Sequence, residues 1–102
     1  MQSGTNGQIP TIKITWEQFQ EWQRWDEFPE RKYDPPLTVD MVFRYKGKTY
    51  YLDIENYKYG IFNDKGDAIA TDTNFRNLLT KPIKEWNGNS FRQLIEKMTF
   101  QN

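Results

Sequence analysis

The sequence contains no cysteine and no histidine. Without cysteine the chain can form no disulfide and has no thiol nucleophile, which suits a reducing compartment. Without histidine it also lacks the commonest general base and, with the thiolates absent too, the usual zinc ligands. We therefore predict that the protein is not an enzyme and that it holds neither a metal nor a cofactor.

An excess of charge of one sign and a long apolar run are also missing. Fourteen basic side chains balance fourteen acidic ones, so no overall field attracts nucleic acid or an anionic membrane. No apolar run approaches the roughly 18 residues that a membrane span needs. The first residues have neither the basic region nor the apolar core of a signal peptide. We expect a cytoplasmic protein that does not enter a membrane and has no small-molecule substrate.

The length of 102 residues predicts one domain. Residues 1–10 are small and polar and are expected to form a loose tail, which leaves residues 11–102 as the domain. A chain of this size buries only about two-thirds of its unfolded surface. Much of its core must therefore come from aromatic side chains, of which there are seven Phe, six Tyr and four Trp.

Residues 39–71 predict a meander of antiparallel strands. Apolar side chains alternate with more polar neighbours at two sets of positions: Val39, Met41, Phe43 and Tyr45, then Tyr50, Leu52 and Ile54. This period of two is typical of half-buried strands. Gly47 and Gly66 supply turns between them. We predict three or four strands here, and residues 11–14 are a weaker candidate for another.

Three helices are predicted around the meander. Thr15 and Gln18 have the spacing of a capping box, so the first helix begins there and must end before Pro29. Asn74 caps a short second helix that ends near residues 80–82. Ser90 and Gln93 have the spacing of another capping box at the start of the last helix, whose apolar stripe is Phe91, Leu94, Ile95 and Met98. The predicted fold is thus α+β in two layers, with an N-terminal helix, a three- to four-stranded antiparallel meander and two C-terminal helices. The predicted core comprises Phe19, Trp22, Met41, Phe43, Leu52, Ile54, Ile61, Leu78, Leu79, Phe91, Leu94, Ile95 and Met98.

The first helix has more aromatic surface than one sheet face needs. Its large side chains recur every three residues, at Trp16, Phe19, Trp22 and Trp25. At 100° per residue they sweep half of the circumference, whereas a helix on a sheet buries a stripe somewhat wider than about 100°. Trp16 or Trp25 should therefore stay partly exposed, unless all four pack on the sheet or under the following loop. Exposed tryptophan is enriched at binding hot spots.

Charge is unevenly distributed along the chain. The first helix and the connector after it are acidic, with Glu17, Glu21, Asp26, Glu27 and Glu30 against Arg24, whereas residues 76–97 are mainly basic. Polarised surfaces steer encounters with an oppositely charged partner. We therefore predict a protein partner, bound either on the outer face of the sheet or through the first helix and connector. In the latter case Trp16 and Trp25 are the anchors, and Phe28, Glu21 and Arg24 are the other contact residues.

The first hairpin supports an alternative function. Arg44, Lys46 and Lys48 are interleaved with tyrosines, and cations beside aromatic stacking faces are typical of proteins that bind single strands. The alternative is thus a single-stranded nucleic-acid-binding protein that uses Arg44, Lys46, Lys48 and Tyr51.

Carboxylates offer the one remaining route to catalysis. Asp53 and Glu55 lie two apart on a strand, and Asp40 on the neighbouring strand could join them around Mg²⁺. The commoner explanation is a solvated sheet face on which Asp53 and Glu55 pair with Arg44, Lys46 or Lys48.

Three stretches of the sequence resemble small uncharacterised proteins carried by phages and mobile elements of low-GC Gram-positive bacteria. They are Arg44-Tyr-Lys-Gly-Lys-Thr-Tyr-Tyr-Leu52, Tyr59-Gly-Ile-Phe-Asn-Asp-Lys-Gly66 and Trp86-Asn-Gly-Asn-Ser-Phe-Arg-Gln-Leu-Ile95. The resemblance implies an accessory protein of one compact domain that binds and inhibits a host or defence protein. It marks no residue as part of a site.

Overall fold

A computed structural model describes residues 11–101 of the chain. The tail predicted for residues 1–10 lies outside the described residues. The described residues form six strands: β1 (Thr11–Ile12), β2 (Met41–Tyr45), β3 (Lys48–Glu55), β4 (Lys58–Asn63), β5 (Ala68–Asp72) and β6 (Thr99–Gln101). The three α-helices are α1 (Trp16–Trp22), α2 (Phe75–Thr80) and α3 (Phe91–Leu94). No helix within residues 11–101 is long and apolar enough to cross a membrane.

The strands form one antiparallel sheet in the order β1-β6-β2-β3-β4-β5. The α+β class is confirmed, but the sheet has more strands than the three or four predicted. The additional strand β6 pairs with β2 through Phe43 and Phe100, which are distant in sequence. Three residues are too few for a period of two to be recognised, so only the tertiary pairing reveals this strand.

The turn between β3 and β4 was not predicted, because it contains no glycine. Asn56 and Tyr57 both adopt positive φ, 53° and 64°. Two consecutive residues with positive φ are typical of a type I′ turn, whose twist matches that of the flanking strands. Tyr57 occupies the position that glycine favours, and its side chain is almost fully exposed.

Helix α1 begins as predicted and ends earlier. Thr15 and Gln18 form the capping box, since each side chain bonds the other's backbone N–H. The helix stops at Trp22 because Arg24 takes the left-handed conformation, with φ 55°. Two short 3-10 turns, Trp25–Glu27 and Pro29–Arg31, then replace the continuous helix that the aromatic spacing indicates.

The last helix is also shorter than its apolar stripe indicates. Ser90 and Gln93 form the expected capping box, but α3 ends at Leu94 and continues as a 3-10 turn, Ile95–Lys97. Met98 then leaves the helical path in an extended conformation. The chain needs this conformation to enter β6.

The helices cover one face of the sheet and share a single core with it. Eleven of the thirteen predicted core residues are buried. Trp22 is only half-buried. The assignment of Ile54 to the core is wrong, because its side chain is 47% exposed. Ile54 pairs with Tyr59 near the end of the β3–β4 hairpin; Tyr59 stacks on Phe75 of α2, whereas the Ile54 side chain stays exposed. The core also contains residues that the prediction omitted: Ile14, Tyr50, Phe75, Ile83, Trp86 and Phe100.

The phenyl ring of Phe62 covers Gly60 two positions earlier on β4. A Cβ atom at position 60 would lie 2.6 Å from Cζ of that ring. We therefore expect Gly60→Ala to lower the free energy of unfolding by about 1–3 kcal/mol, because the ring must move away from the strand. Chemical denaturation of the wild-type and variant proteins measures this loss.

The Phe62→Ala background provides the control for this contact. There the obstructing ring is gone, and alanine is favoured over glycine in a strand by roughly 0.5–1 kcal/mol. Gly60→Ala should then be neutral or stabilising. An equal loss in both backgrounds would show that the ring contact is not the cause.

Asp72 joins the end of β5 to the start and end of α2. Its carboxylate accepts a hydrogen bond from the Asn74 N–H at 2.8 Å and lies 3.2 Å from Lys81 Nζ, which also donates to the carbonyl of Thr71. The Asn74 hydrogen bond and, to a lesser extent, Lys81 lower the pKa of Asp72 below its ordinary 3.8.

This lowered pKa predicts a loss of stability in acid. A carboxyl with a lower pKa in the folded state stabilises the protein above its unfolded pKa, and that contribution disappears as the pH falls through the folded pKa. Wild-type protein should therefore lose more stability on acidification than Asp72→Asn, whose amide does not titrate. Denaturation curves at neutral pH and below pH 3.8 measure the difference. A wild-type to variant difference that stays constant with pH would contradict the assignment.

Candidate functional site

An open groove lies beside the end of α1, between the two 3-10 turns and α2. It encloses about 820 Å³. Four of the five residues predicted to bind a protein line it: Glu21, Arg24, Trp25 and Phe28. The sequence could not show that these residues share a groove, because the two turns that follow Trp22 bring them together.

The floor of the groove is aromatic and rich in proline. Trp25 and Phe28 are half-buried in it, beside Pro29 and the buried Pro35. Two rings of the core support Trp25 edge-on, Phe19 at 5.9 Å and Phe75 at 6.0 Å between centroids. Trp25 is thus both a wall of the core and a surface of the groove.

The indole N–H of Trp25 donates to the carbonyl of Pro36 at 2.9 Å. A buried indole usually finds such a partner, and the bond fixes the orientation of the ring. Trp25 therefore presents its ring, and not a free N–H donor, to anything that enters the groove.

Gln23 holds the connector that forms the groove, and sequence reasoning missed it. Its side chain is fully buried. The side-chain amide donates to the carbonyl of Val39 at 2.7 Å and accepts from the N–H groups of Thr38 and Val39 at 2.8 and 3.2 Å. The Thr38 hydroxyl in turn donates to the backbone carbonyl of Gln23. A glutamine beside four aromatic residues gives no sequence signal for this role.

Basic residues on the far side of the groove were also missed as site residues. Arg31, Lys32 and Arg76 line it. Arg76 donates to the carbonyl of Lys32 at 3.1 Å, and Arg31 pairs with Asp34 at 3.3 Å. Arg76 is 44 positions from Lys32, so no local pattern could have placed it here.

Trp16, the other predicted anchor, is not among the residues that line the groove. Its ring stacks on Phe19 at 5.3 Å, meets Trp25 edge-on at 5.8 Å and lies under the guanidinium of Arg92 at 4.7 Å. Like Trp25 it remains partly exposed, as the wide aromatic sweep predicts. Trp16 therefore belongs to the neighbouring surface of α1 and α3.

The residues of the alternative nucleic-acid site are divided between two faces of the first hairpin. Arg44 and Tyr51 share the outer face, because Arg44 is two residues from Val42, the cross-strand partner of Tyr51. Lys48 pairs with Tyr45 on the opposite face, and Lys46 lies in the turn with φ 51°. The guanidinium of Arg44 donates to Gly47 and Thr49, which holds it along the hairpin.

The carboxylates of the outer face are arranged differently from the prediction. Asp53 lies beside Asp40 and not against a cation, and the salt bridges among residues 11–101 are Arg31–Asp34 and Lys81–Asp72. Partial burial, and then the nearby Asp53 carboxylate, raise the pKa of Asp40. Residues 11–101 contain no group of three or more acidic, His or Cys side chains that could hold a metal ion.

The molecule is thus a small α+β domain with an antiparallel sheet covered on one face and a charged, aromatic groove at one side. No protein-family model matches the chain, and searches of curated proteins and of solved structures found no match either.

Proposed function

We propose that this chain is a non-enzymatic protein-interaction module that binds its partner in the groove between α1, the two 3-10 turns and α2. One observation supports this most directly: four residues predicted from sequence to contact a partner line the same preformed groove. In line with the family that the sequence resembles, the partner is a host or defence protein whose activity the bound module inhibits or modifies.

The chemistry of the groove suits a protein partner. Aromatic and arginine side chains are enriched where interfaces derive most of their binding energy, and here Trp25, Phe28 and Arg76 lie together. Hydrogen bonds to the backbone hold Trp25 and Arg76 in place. Little side-chain freedom is therefore lost on binding, which favours affinity.

Affinity capture from cells of the native host, with mass spectrometry of the retained proteins, tests the proposal. The bait variants are Phe28→Asp, which places a charge on the groove floor, and Glu21→Lys, which changes an exposed residue at its rim. The matched control is Tyr51→Ala on the outer face of the sheet. Thermal unfolding of each bait confirms that it is folded.

We expect one or more proteins to be captured by the wild type and by Tyr51→Ala and to be lost with both groove variants. An identical set of proteins on all four baits would exclude the groove as the binding surface. Capture that is lost only with Tyr51→Ala would move the site to the outer face of the sheet.

A second candidate function is the binding of single-stranded nucleic acid by the first hairpin. The observation in its favour is that Arg44 and Tyr51, which is 40% exposed, share the outer face. This function requires measurable binding of an oligonucleotide at low salt, a steep loss of affinity with added salt, and weaker binding by Arg44→Ala. Absence of binding at low salt would exclude it.

A further inference from the structure

Charges of opposite sign line the two sides of the groove. The side formed by α1 and the first 3-10 turn contributes three acidic residues and one basic residue: Glu21, Asp26, Glu27 and Arg24. The side formed by the second turn and α2 contributes three basic residues and no acid: Arg31, Lys32 and Arg76. The first side thus carries a formal charge of −2 and the second a formal charge of +3, part of which Asp34 neutralises through Arg31.

Between these two sides the floor consists of flat apolar surfaces. Trp25 and Phe28 supply the rings, and Pro29 and Pro35 supply rigid rings of their own. Grooves with aromatic floors accommodate extended segments of the polyproline type, which have no internal hydrogen bonds and lose little entropy on binding.

We propose that the groove binds an extended segment of the partner protein in which a proline or another apolar residue stands between an acidic and a basic residue. The apolar residue contacts Trp25 and Phe28, the acidic residue lies toward Lys32 and Arg76, and the basic residue lies toward Glu21 and Glu27. This inference rests on the proposed function, because it specifies which part of a protein partner the same groove binds.

Charge complementarity determines which end of the segment lies toward the basic side of the groove. A guanidinium presents several N–H donors in a planar fork, which suits a carboxylate. Within the described residues Arg76 directs Nη1 to the carbonyl of Lys32. That contact anchors one side of the guanidinium and orients the remaining N–H groups for an acidic side chain of the segment.

Selection from a random peptide library displayed on phage, with the whole protein as the target, tests this inference. We expect the enriched peptides to carry a proline or large apolar residue with an acidic residue on one side and a basic residue on the other. A synthetic peptide of the enriched sequence should bind the double variant Lys32→Glu with Arg76→Glu on the order of tenfold more weakly than the wild type. Exchange of its acidic residue for lysine should restore binding to that variant.

A matched charge reversal on the distant hairpin, Lys46→Glu with Lys48→Glu, is the control and should leave the affinity of the peptide unchanged. If the double variant does not fold, Lys32→Glu alone is used in its place, because it keeps the hydrogen bond made by the Arg76 side chain.

Equal binding of the peptide to the wild type and the groove variants would overturn the inference, as would enrichment of no peptide at all. If a host protein is captured by the wild type and lost with Phe28→Asp, but the peptide selection fails, the proposed function stands. Only the inference that the groove binds an extended segment is then rejected. Loss of both would remove the groove as a protein-binding site.

Discussion

Replacement of Phe43 by alanine should lower the free energy of unfolding by about 3–5 kcal/mol, the cost of removing a phenylalanine from a packed core. Phe43 is fully buried on strand β2. Its ring contacts four other aromatic rings, Tyr50, Trp86, Phe91 and Phe100, at centroid distances of 5.6, 6.2, 5.3 and 5.5 Å. These rings come from β3, β6, α3 and the 3-10 turn Lys84–Trp86, so the cavity would lie between the sheet and its covering layer.

Urea denaturation monitored by circular dichroism measures this loss. A domain of this kind is stable by about 5–15 kcal/mol, so the variant should unfold at a much lower urea concentration or lack a folded state. Phe43→Leu, which leaves a smaller cavity, keeps the comparison possible in the second case. The control is Tyr51→Ala on the outer face, which should cost about 1 kcal/mol. Equal losses at the two positions would contradict the proposed central role of Phe43.

Replacement of Gln23 by alanine should lower the free energy of unfolding by about 2–4 kcal/mol, because its side-chain hydrogen bonds to three partly buried backbone groups disappear. Gln23 binds Thr38 and Val39, which lie three and two residues before β2. The variant should therefore also release the connector of residues 24–38, and with it the floor of the groove. Increased hydrogen exchange of the connector amides, measured by mass spectrometry, reports this second effect.

Gln20→Ala on the same helix is the matched control. Within residues 11–101 the Gln20 side chain makes one long hydrogen bond, to the carbonyl of Trp16 at 3.4 Å, so its removal should change stability by no more than about 0.5 kcal/mol. A loss at Gln23 as small as that at Gln20 would show that the connector is held by other contacts. Unchanged hydrogen exchange in residues 24–38 would lead to the same conclusion.

Local signals in the sequence predicted much of the fold. The capping boxes at Thr15 and Ser90 mark where α1 and α3 begin, because the side chain that satisfies a free N–H lies only three residues from it. The alternation along β2 and β3 identified the buried face of the meander through Phe43 and Leu52. Such signals act over a few residues and are therefore visible in the order of the amino acids.

Features that depend on distant residues were missed or wrong. The stripe that ends at Met98 indicated a longer last helix, but pairing of Phe100 with Phe43 makes the chain extended. Ile54 continues the buried alternation of β3, yet the helical layer covers its cross-strand partner Tyr59 through Phe75 and leaves the Ile54 side chain exposed. Periodicity shows which residues share a face of a strand but not how far the covering layer extends.

The candidate site shows the same division. The sequence by itself determined which side chains are available for a site. It offers no thiol and no imidazole, but it places many aromatic and acidic residues around the first helix. The tertiary structure alone decided that Arg24 turns the chain away from the helix and that Gln23 fixes the returning connector. It also brought Arg76 into the groove that Trp25 and Phe28 line. The physical reason is that a groove forms between segments whose relative positions depend on long-range packing and hydrogen bonds, which no local pattern encodes.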